Sequence, residues 1–311
     1  MAASLDDLTA KVEAGEPLAA QEIAALGSTH DIIMLGMLAT IVRRKLHGTD
    51  VTYVRVADLK VEESGADLKV DSTAETPAAV VPTFRSADEA AGEVRIFQTP
   101  ETLDACVEVV TKARDLVGKI PLSAFCLYEL SKLPEGLPVV LASVRKAGLE
   151  LVAQAPIDRL DDPERMLEAL TDAGLRLARL TVNETPQREW TGVCRDVSAL
   201  QTKLGSIRAF APLARKLDAG QPTTGYDDVK RVALSRLLAD NVDTIQVDWG
   251  LYGPKLAQVA LTFGADDIDS VSAEDDQSHG RRRSPLEEIR RSIQAAGFEP
   301  VERDGYFVHR R

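Results

Sequence analysis

Residues 221–269 read QPTTGYDDVKRVALSRLLADNVDTIQVDWGLYGPKLAQVALTFGADDID and repeat one alternating pattern. Apolar residues at helical spacing predict helices over 226–240 and 253–263. Short runs rich in β-branched residues predict strands over 245–249 and 267–272. Because a strand, a helix and a further strand make a parallel βαβ unit, this stretch indicates an α/β fold.

The same alternation extends upstream through most of the chain. With the two strands above it gives eight strand candidates, and helical patterns over 100–117 and 162–173 separate some of them. The other six candidates are 51–56, 93–97, 121–127, 149–155, 177–183 and 207–213. Eight βα units predict a closed (βα)8 barrel of the TIM type. A last helix is predicted over 284–296.

Two regions fall outside the repeat. Residues 1–50 are predicted to form a helical lead-in, and residues 51–311 the barrel. The segment 57–92 contains ADLKV twice, at 57–61 and 66–70, with a glycine between the copies. We interpret it as a β-hairpin inserted near the first strand and followed by a linker rich in proline and alanine.

Composition excludes several classes of protein. The 311 residues are 44% hydrophobic and 28% charged, as in ordinary globular proteins. The net charge of −12 argues against binding to a phosphate backbone. No long apolar run predicts a membrane span, and the acidic N-terminus does not resemble a signal peptide. Three cysteines without regular spacing indicate a reducing compartment, so we expect a cytoplasmic protein.

Three segments resemble one known family. These are 221–269, the lead-in DIIMLGMLATIVRRKLHGTDVTYVR at 31–55, and the tail AGFEPVERDGYF at 296–307. They resemble the radical-SAM enzymes of the futalosine pathway to menaquinone, aminofutalosine synthase and dehypoxanthine futalosine cyclase, together with FO synthase. The resemblance implies a (βα)8 barrel that binds S-adenosylmethionine (SAM) and a [4Fe–4S] cluster held by CxxxCxxC after the first strand.

The chain departs from that family at each part of the cofactor site. Its cysteines are Cys106, Cys126 and Cys194, and no pair has cluster spacing. The family's Gly-Gly motif after the second strand is replaced by Phe97-Gln98-Thr99-Pro100. The glycine-rich strand end in the middle of the barrel corresponds to LTVNET at 180–185, which keeps only a glutamate. We therefore predict that cluster and SAM are both lost, and that no cofactor and no metal are bound.

Candidate site residues follow from a rule of the fold. Ligands of a (βα)8 barrel bind at the carboxyl ends of the strands. The rim carboxylates Glu184, Asp248 and Glu274 are candidates for acid–base work, although no catalytic role can be assigned. The candidates for ligand binding are Arg55, Gln98, Tyr128, Gln154, Asn183, Arg215, Trp249 and Tyr252. The two aromatic residues Trp249 and Tyr252 either stack on a planar ligand or form an apolar plug.

Two hypotheses about function remain open. The first is a pseudoenzyme that binds a pathway intermediate, such as a small aromatic carboxylate or a nucleoside-type molecule, or that pairs with a menaquinone-pathway enzyme. The second is an enzyme of that pathway that uses acid–base chemistry or a cluster supplied in trans. A homodimer is possible under either hypothesis, and neither nucleic acid nor a membrane is expected as a partner.

Overall fold

The computed structural model describes residues 5–61, 68–70, 91–184, 189–216, 224–273 and 285–310. The chain forms two compact units, each assembled from separate stretches. Unit 1 comprises Met1–Thr52, Thr181–Ile268 and Arg290–Pro300, and unit 2 comprises Tyr53–Leu180, Asp269–Ile289 and Val301–Arg311. The division of the sequence into a lead-in over 1–50 and a barrel over 51–311 stays a prediction.

The described strands form one sheet. They are β1 (Asp50–Val61), β2 (Leu68–Val70), β3 (Glu93–Ile96), β4 (Leu122–Cys126), β5 (Leu151–Pro156), β6 (Arg176–Leu177), β7 (Leu180–Val182), β8 (Ala209–Ala214), β9 (Thr244–Asp248), β10 (Asp267–Ser272) and β11 (Glu299–Arg303). Their order is β10-β9-β8-β7-β5-β4-β3-β1-β11, and β10 also pairs with β1. This second pairing closes a ring of eight strands, so the predicted (βα)8 barrel is confirmed.

Three helices precede the first strand, and the others lie in the connections between later strands. Their bounds are Leu5–Ala14, Ala20–Ser28, Ile32–His47, Leu103–Val117, Leu127–Leu130, Leu137–Lys146, Pro163–Asp172, Trp190–Leu204, Gly225–Leu238, Trp249–Leu261 and Pro285–Ala295. Side-chain caps begin several of them, as where Asp31 accepts a hydrogen bond from Met34 N at 2.9 Å. The helix Trp249–Leu261 starts before the predicted residue 253 and is interrupted at Gly253, whose φ is 75°.

The first strand is longer than predicted. It runs to Val61 instead of ending at residue 56, and it pairs antiparallel with β2 in the register Leu59↔Val70. The two copies of ADLKV therefore contribute to facing strands, as the hairpin interpretation requires. Residues 62–67 and 71–90 of the predicted insert lie outside the described residues.

The predicted strand 177–183 is divided into two short strands. Residues Arg176–Leu177 pair with β5 as β6, and Leu180–Val182 form β7. The interruption falls at Ala178 and Arg179, and Arg179 is a buried arginine. The division therefore coincides with a charged side chain that turns away from solvent.

The N-terminal helices pack within unit 1. Leu8, Leu35 and Leu38 of these helices lie in one apolar cluster with Ala233 and Leu234 of the helix Gly225–Leu238. No helix in the described part of the chain is long and apolar enough to cross a membrane.

Candidate functional site

The ends of β8 and β9 in unit 1 carry an ion pair. Arg215 Nη1 donates to Asp248 Oδ2, while Asp248 Oδ1 accepts a hydrogen bond from Leu251 N at 2.8 Å. Asp248 is thereby the cap of the helix that begins at Trp249. Because both of its carboxylate oxygens are engaged, Asp248 is poorly placed to take a proton from a ligand.

The predicted aromatic residues lie in the same helix. Tyr252 Oη donates to the carbonyl oxygen of Ala214 at 2.7 Å. Burial and the nearby carboxylate of Asp228 raise the pKa of Tyr252, so the hydroxyl group keeps its proton. Trp249 is half-buried at the first turn. The structure brings the tyrosine and the Arg215–Asp248 ion pair to one strand end, and whether the aromatic residues stack on a ligand stays a prediction.

The other unit 1 candidates are less enclosed. Glu184 Oε1 contacts Lys216 Nζ at 3.0 Å, and the glutamate side chain is 51% exposed. Asn183 accepts a hydrogen bond at its backbone carbonyl oxygen from Lys216 N at 2.8 Å. Glu274 lies outside the described residues. Glu184 is therefore part of a solvated ion pair, an arrangement that contributes little to stability.

The candidates in unit 2 have different roles. Arg55 lies in the middle of β1, because that strand continues to Val61, and its guanidinium group contacts Glu302 at 2.8 and 2.9 Å. Tyr128 is half-buried, with Lys132 Nζ 4.0 Å and the Arg159 guanidinium carbon 5.0 Å from the centroid of its ring. Gln154 lies level with Cys126 on the neighbouring strand, and its buried Oε1 accepts no hydrogen bond from the described residues.

Two of the residues predicted to stand in place of the Gly-Gly motif bind the backbone of neighbouring strands. Gln98 Oε1 accepts a hydrogen bond from Val61 N at 2.8 Å, and Thr99 Oγ1 accepts one from Cys126 N at 3.1 Å. These two side chains satisfy backbone groups at the ends of β1 and β4. A glycine in either place would leave that backbone N–H without its present partner.

A buried charge network in unit 2 was missed by the rim rule. It consists of Glu93, Arg95, Arg179 and Asp269, each at most 2% exposed. Glu93 Oε1 contacts Arg95 Nε at 2.9 Å and Arg179 Nη2 at 3.0 Å. Asp269 contacts Arg95 Nη2 at 2.8 Å and Arg179 Nη1 at 2.5 Å. Each arginine therefore bridges the same two carboxylates, and the network is electrically neutral.

The pKa values of both carboxyl groups in this network are lowered, so their ionised forms are favoured. Burial raises the pKa of Asp269, but the guanidinium groups of Arg179 and Arg95 more than offset that effect. The pKa of Glu93 is lowered for the same balance of reasons, with Arg95 as its main cation. Both groups are therefore charged at neutral pH, as a network of two cations and two anions requires.

A third carboxylate, Asp58, faces this network from β1. Its register partner on β3 is Arg95, and the register partner of Arg95 on β4 is Ser123. Asp58 is exposed and forms no hydrogen bond with the described residues. Loss of hydration beside the surrounding protein atoms raises the pKa of Asp58. The cation Arg95 lowers this pKa, and the anions Asp269 and Glu93 raise it. A strand that ended at residue 56 could not have placed Asp58 in this row.

The three cysteines do not fit an iron–sulfur cluster. Cys106 and Cys194 lie in the helices Leu103–Val117 and Trp190–Leu204, and Cys126 ends β4, so no two share a loop. All three are free and buried. Burial, with a smaller effect of Glu135, raises the pKa of Cys106 to about 12, and burial also raises the pKa of Cys126. The CxxxCxxC pattern brings three thiolates together on one loop, and these three cysteines do not form such a set.

We expect the native thiols to be unreactive. A thiol-specific disulfide reagent at pH 8 should modify almost none of the three cysteines in the minutes that an exposed thiol needs, since burial hinders both access and ionisation. In guanidinium chloride the same protein should titrate with three equivalents. One equivalent that reacts at once in the native protein would contradict the buried placement.

Comparisons with known proteins agree with this fold. Methylornithine synthase superposes with a TM-score of 0.64 and 14% identity over 94% of this chain and 97% of its own. The hydrogenase maturase HydG of Carboxydothermus hydrogenoformans gives 0.63 and 14%, over 96% and 79%. At this identity the likeness concerns the fold alone, and it agrees with the class of (βα)8 barrels.

The sequence comparisons find relatives of the C-terminal part. Residues 211–311 match the model of the family described as the CofH/MqnC C-terminal region. Aminodeoxyfutalosine synthase of Thermus thermophilus is 36% identical over 123 residues, 35% of this chain and 33% of that enzyme. Cyclic dehypoxanthine futalosine synthase of Streptomyces coelicolor is 28% identical over 189 residues, 54% and 47% of the two chains. The predicted relation to the futalosine-pathway radical-SAM enzymes is confirmed, and the match spans about one third of the aminodeoxyfutalosine synthases.

Proposed function

We propose that this chain is a ligand-binding homologue of the futalosine-pathway enzymes that performs no radical-SAM chemistry of its own. The observation that carries the proposal is the placement of the cysteines on three separate elements, all buried and at least two with raised pKa values. The hydrogen bonds that Gln98 and Thr99 accept support it, because these side chains of the loop after β3 are already engaged by neighbouring strands. The three free thiols fit a reducing compartment, and we propose the cytoplasm.

Binding of a small ligand is favoured over acid–base catalysis. Of the three candidate carboxylates, Asp248 caps a helix and pairs with Arg215, while Glu184 is solvated beside Lys216. General acid–base catalysis needs a carboxyl group within hydrogen-bond reach of the reacting atom and free to exchange a proton. Both oxygens of Asp248 are already engaged, and Glu184 is exposed to solvent rather than enclosed beside a ligand. Pairing with an enzyme of the menaquinone pathway stays a prediction.

Anaerobic reconstitution with iron and sulfide tests the proposal. The chain should retain no stoichiometric iron or sulfide and should lack the visible charge-transfer absorbance of a cluster. A relative that carries CxxxCxxC, reconstituted in parallel, is the positive control. Stoichiometric iron that disappears when Cys106, Cys126 and Cys194 are all changed to serine would overturn the proposal. Iron bound only in a complex with a second protein would overturn it in favour of a cluster supplied in trans.

A further inference from the structure

Asp58 differs from Glu93, Arg95 and Asp269 in forming no hydrogen bond or ion pair with the described residues. Arg95, its neighbour across the β1–β3 pair, already donates from Nε to Glu93, from Nη2 to Asp269, and from Nη1 to Asp269 and Ser270. Since each nitrogen of Arg95 is engaged by another group, the guanidinium is not available to pair with Asp58. The carboxylate of Asp58 is therefore an exposed hydrogen-bond acceptor that no described residue engages.

The surroundings of Asp58 include an aromatic face. The Arg95 guanidinium carbon lies 5.2 Å from the centroid of the Phe97 ring. Phe97 is half-buried and follows Arg95 by two residues, the spacing that places side chains on one face of an extended chain. Arg95 thus adjoins both an unpaired carboxylate and a partly accessible ring.

Backbone strain occurs at the same level of the strands. Phe125 and Ser270 have φ values of 68° and 58°, in the left-handed region that non-glycine residues avoid. Phe125 follows Ala124, the register partner of Ile96, and Ser270 Oγ lies 3.0 Å from Arg95 Nη1. Strained residues of this kind persist where the surroundings hold them, and they concentrate at ligand sites.

We infer that Asp58 anchors a ligand by a planar edge that donates N–H hydrogen bonds, of the amidine, guanidine or amino-heterocycle class. A carboxylate can accept two parallel N–H bonds, and a planar cation matches that geometry. The half-buried Phe97 ring adds an aromatic surface near the same position. This inference rests on the proposed function, because it presupposes a chain that binds a small ligand. Of the two predicted ligand classes it favours the nucleoside-type molecule over the aromatic carboxylate.

Benzamidine and benzoate are a matched pair of probes. They have nearly the same shape but opposite charge, so comparing their affinities shows which sign of ligand charge the site prefers. Titration of the full chain with each, followed by NMR or calorimetry, should show binding of benzamidine and much weaker binding of benzoate. Binding of benzoate with equal or higher affinity would overturn the inference, as would the absence of any binding of benzamidine.

The variant Asp58→Asn tests the residue itself. It should raise the Kd of benzamidine about tenfold or more, because a charge-assisted contact becomes a neutral one. Asp115→Asn, at an exposed position of the helix Leu103–Val117, should leave the Kd unchanged. Asp58→Ser provides a second variant, and thermal melting verifies that each variant folds. An unchanged Kd in a folded Asp58 variant overturns the inference without bearing on the iron measurement, which decides the proposed function separately.

Discussion

Replacing Arg95 by methionine should lower the free energy of unfolding by about 3–5 kcal/mol. Arg95 is fully buried and contacts Glu93 and Asp269, so the variant leaves two buried carboxylates with a single guanidinium group between them. Breaking one side of a buried ion network is costly because the remaining charge has neither water nor a partner. Urea unfolding at pH 7 measures the loss.

The control for this prediction is an exposed ion pair in the same unit. Lys112→Met removes a contact with Glu108 of 3.0 Å between side chains that are 42% and 52% exposed. Exposed pairs at helical spacing contribute less than about 0.5 kcal/mol. A variant of Arg95 no less stable than the variant of Lys112 would show that the network does not hold the barrel interior together.

The pH dependence of this variant has a definite sign. The pKa values of Glu93 and Asp269 are lowered in the folded protein, so their contribution to stability exists above the unfolded pKa of about 4 and is lost as the pH falls. In the Arg95 variant these carboxyl groups are less strongly held in the ionised form. The difference in unfolding free energy between the two proteins should therefore shrink from pH 7 to pH 4.

Replacing Arg236 by methionine should cost a similar amount, again about 3–5 kcal/mol. This fully buried arginine donates to Asp266 and to the carbonyl oxygens of Gly264, Val242 and Asp243. Removing it leaves one carboxylate and three carbonyl groups without that donor. Arg208→Met is the matched control, because Arg208 pairs at 3.0 Å with Asp243 in an exposed contact.

The double variant separates charge from packing in this second prediction. Burial raises the pKa of Asp266, while Arg236 and His47 oppose that effect. Arg236→Met with Asp266→Asn removes the stranded charge, so the pair should be more stable than Arg236→Met alone at pH 7. If the added asparagine instead lowers stability further, the loss is one of packing and hydrogen bonds. Lowering the pH should reduce the defect of the single variant, since Asp266 then takes up a proton.

The alternation of helices and strands was sufficient to predict the fold. Most barrel strands are short and bounded by helical periodicity, so their existence could be recognised even where their ends were misplaced. The end of β1 was missed because residues 57–61 were assigned to the insert, whereas they continue the strand and pair with β2. Strand ends depend on such pairing, which local sequence does not contain.

The candidate site was predicted only in part, because the rim rule selects strand ends. Glu93 and Arg95 stand two residues apart, as do Asp267 and Asp269, and that spacing puts each pair on one face of its strand. The pattern could have indicated charges inside the barrel. It could not have matched Arg95 with Asp269, since 174 residues separate them and only the closed sheet brings them together.

The neutral network of Glu93, Arg95, Arg179 and Asp269 also constrains how this sequence can diverge. A single change of charge at any of the four positions strands a buried ion, whereas a paired loss of one acid and one base restores neutrality. Substitutions at these four positions are therefore coupled during evolution. Related sequences should keep all four residues or exchange them in compensating pairs, so that they covary as a block despite their distance along the chain.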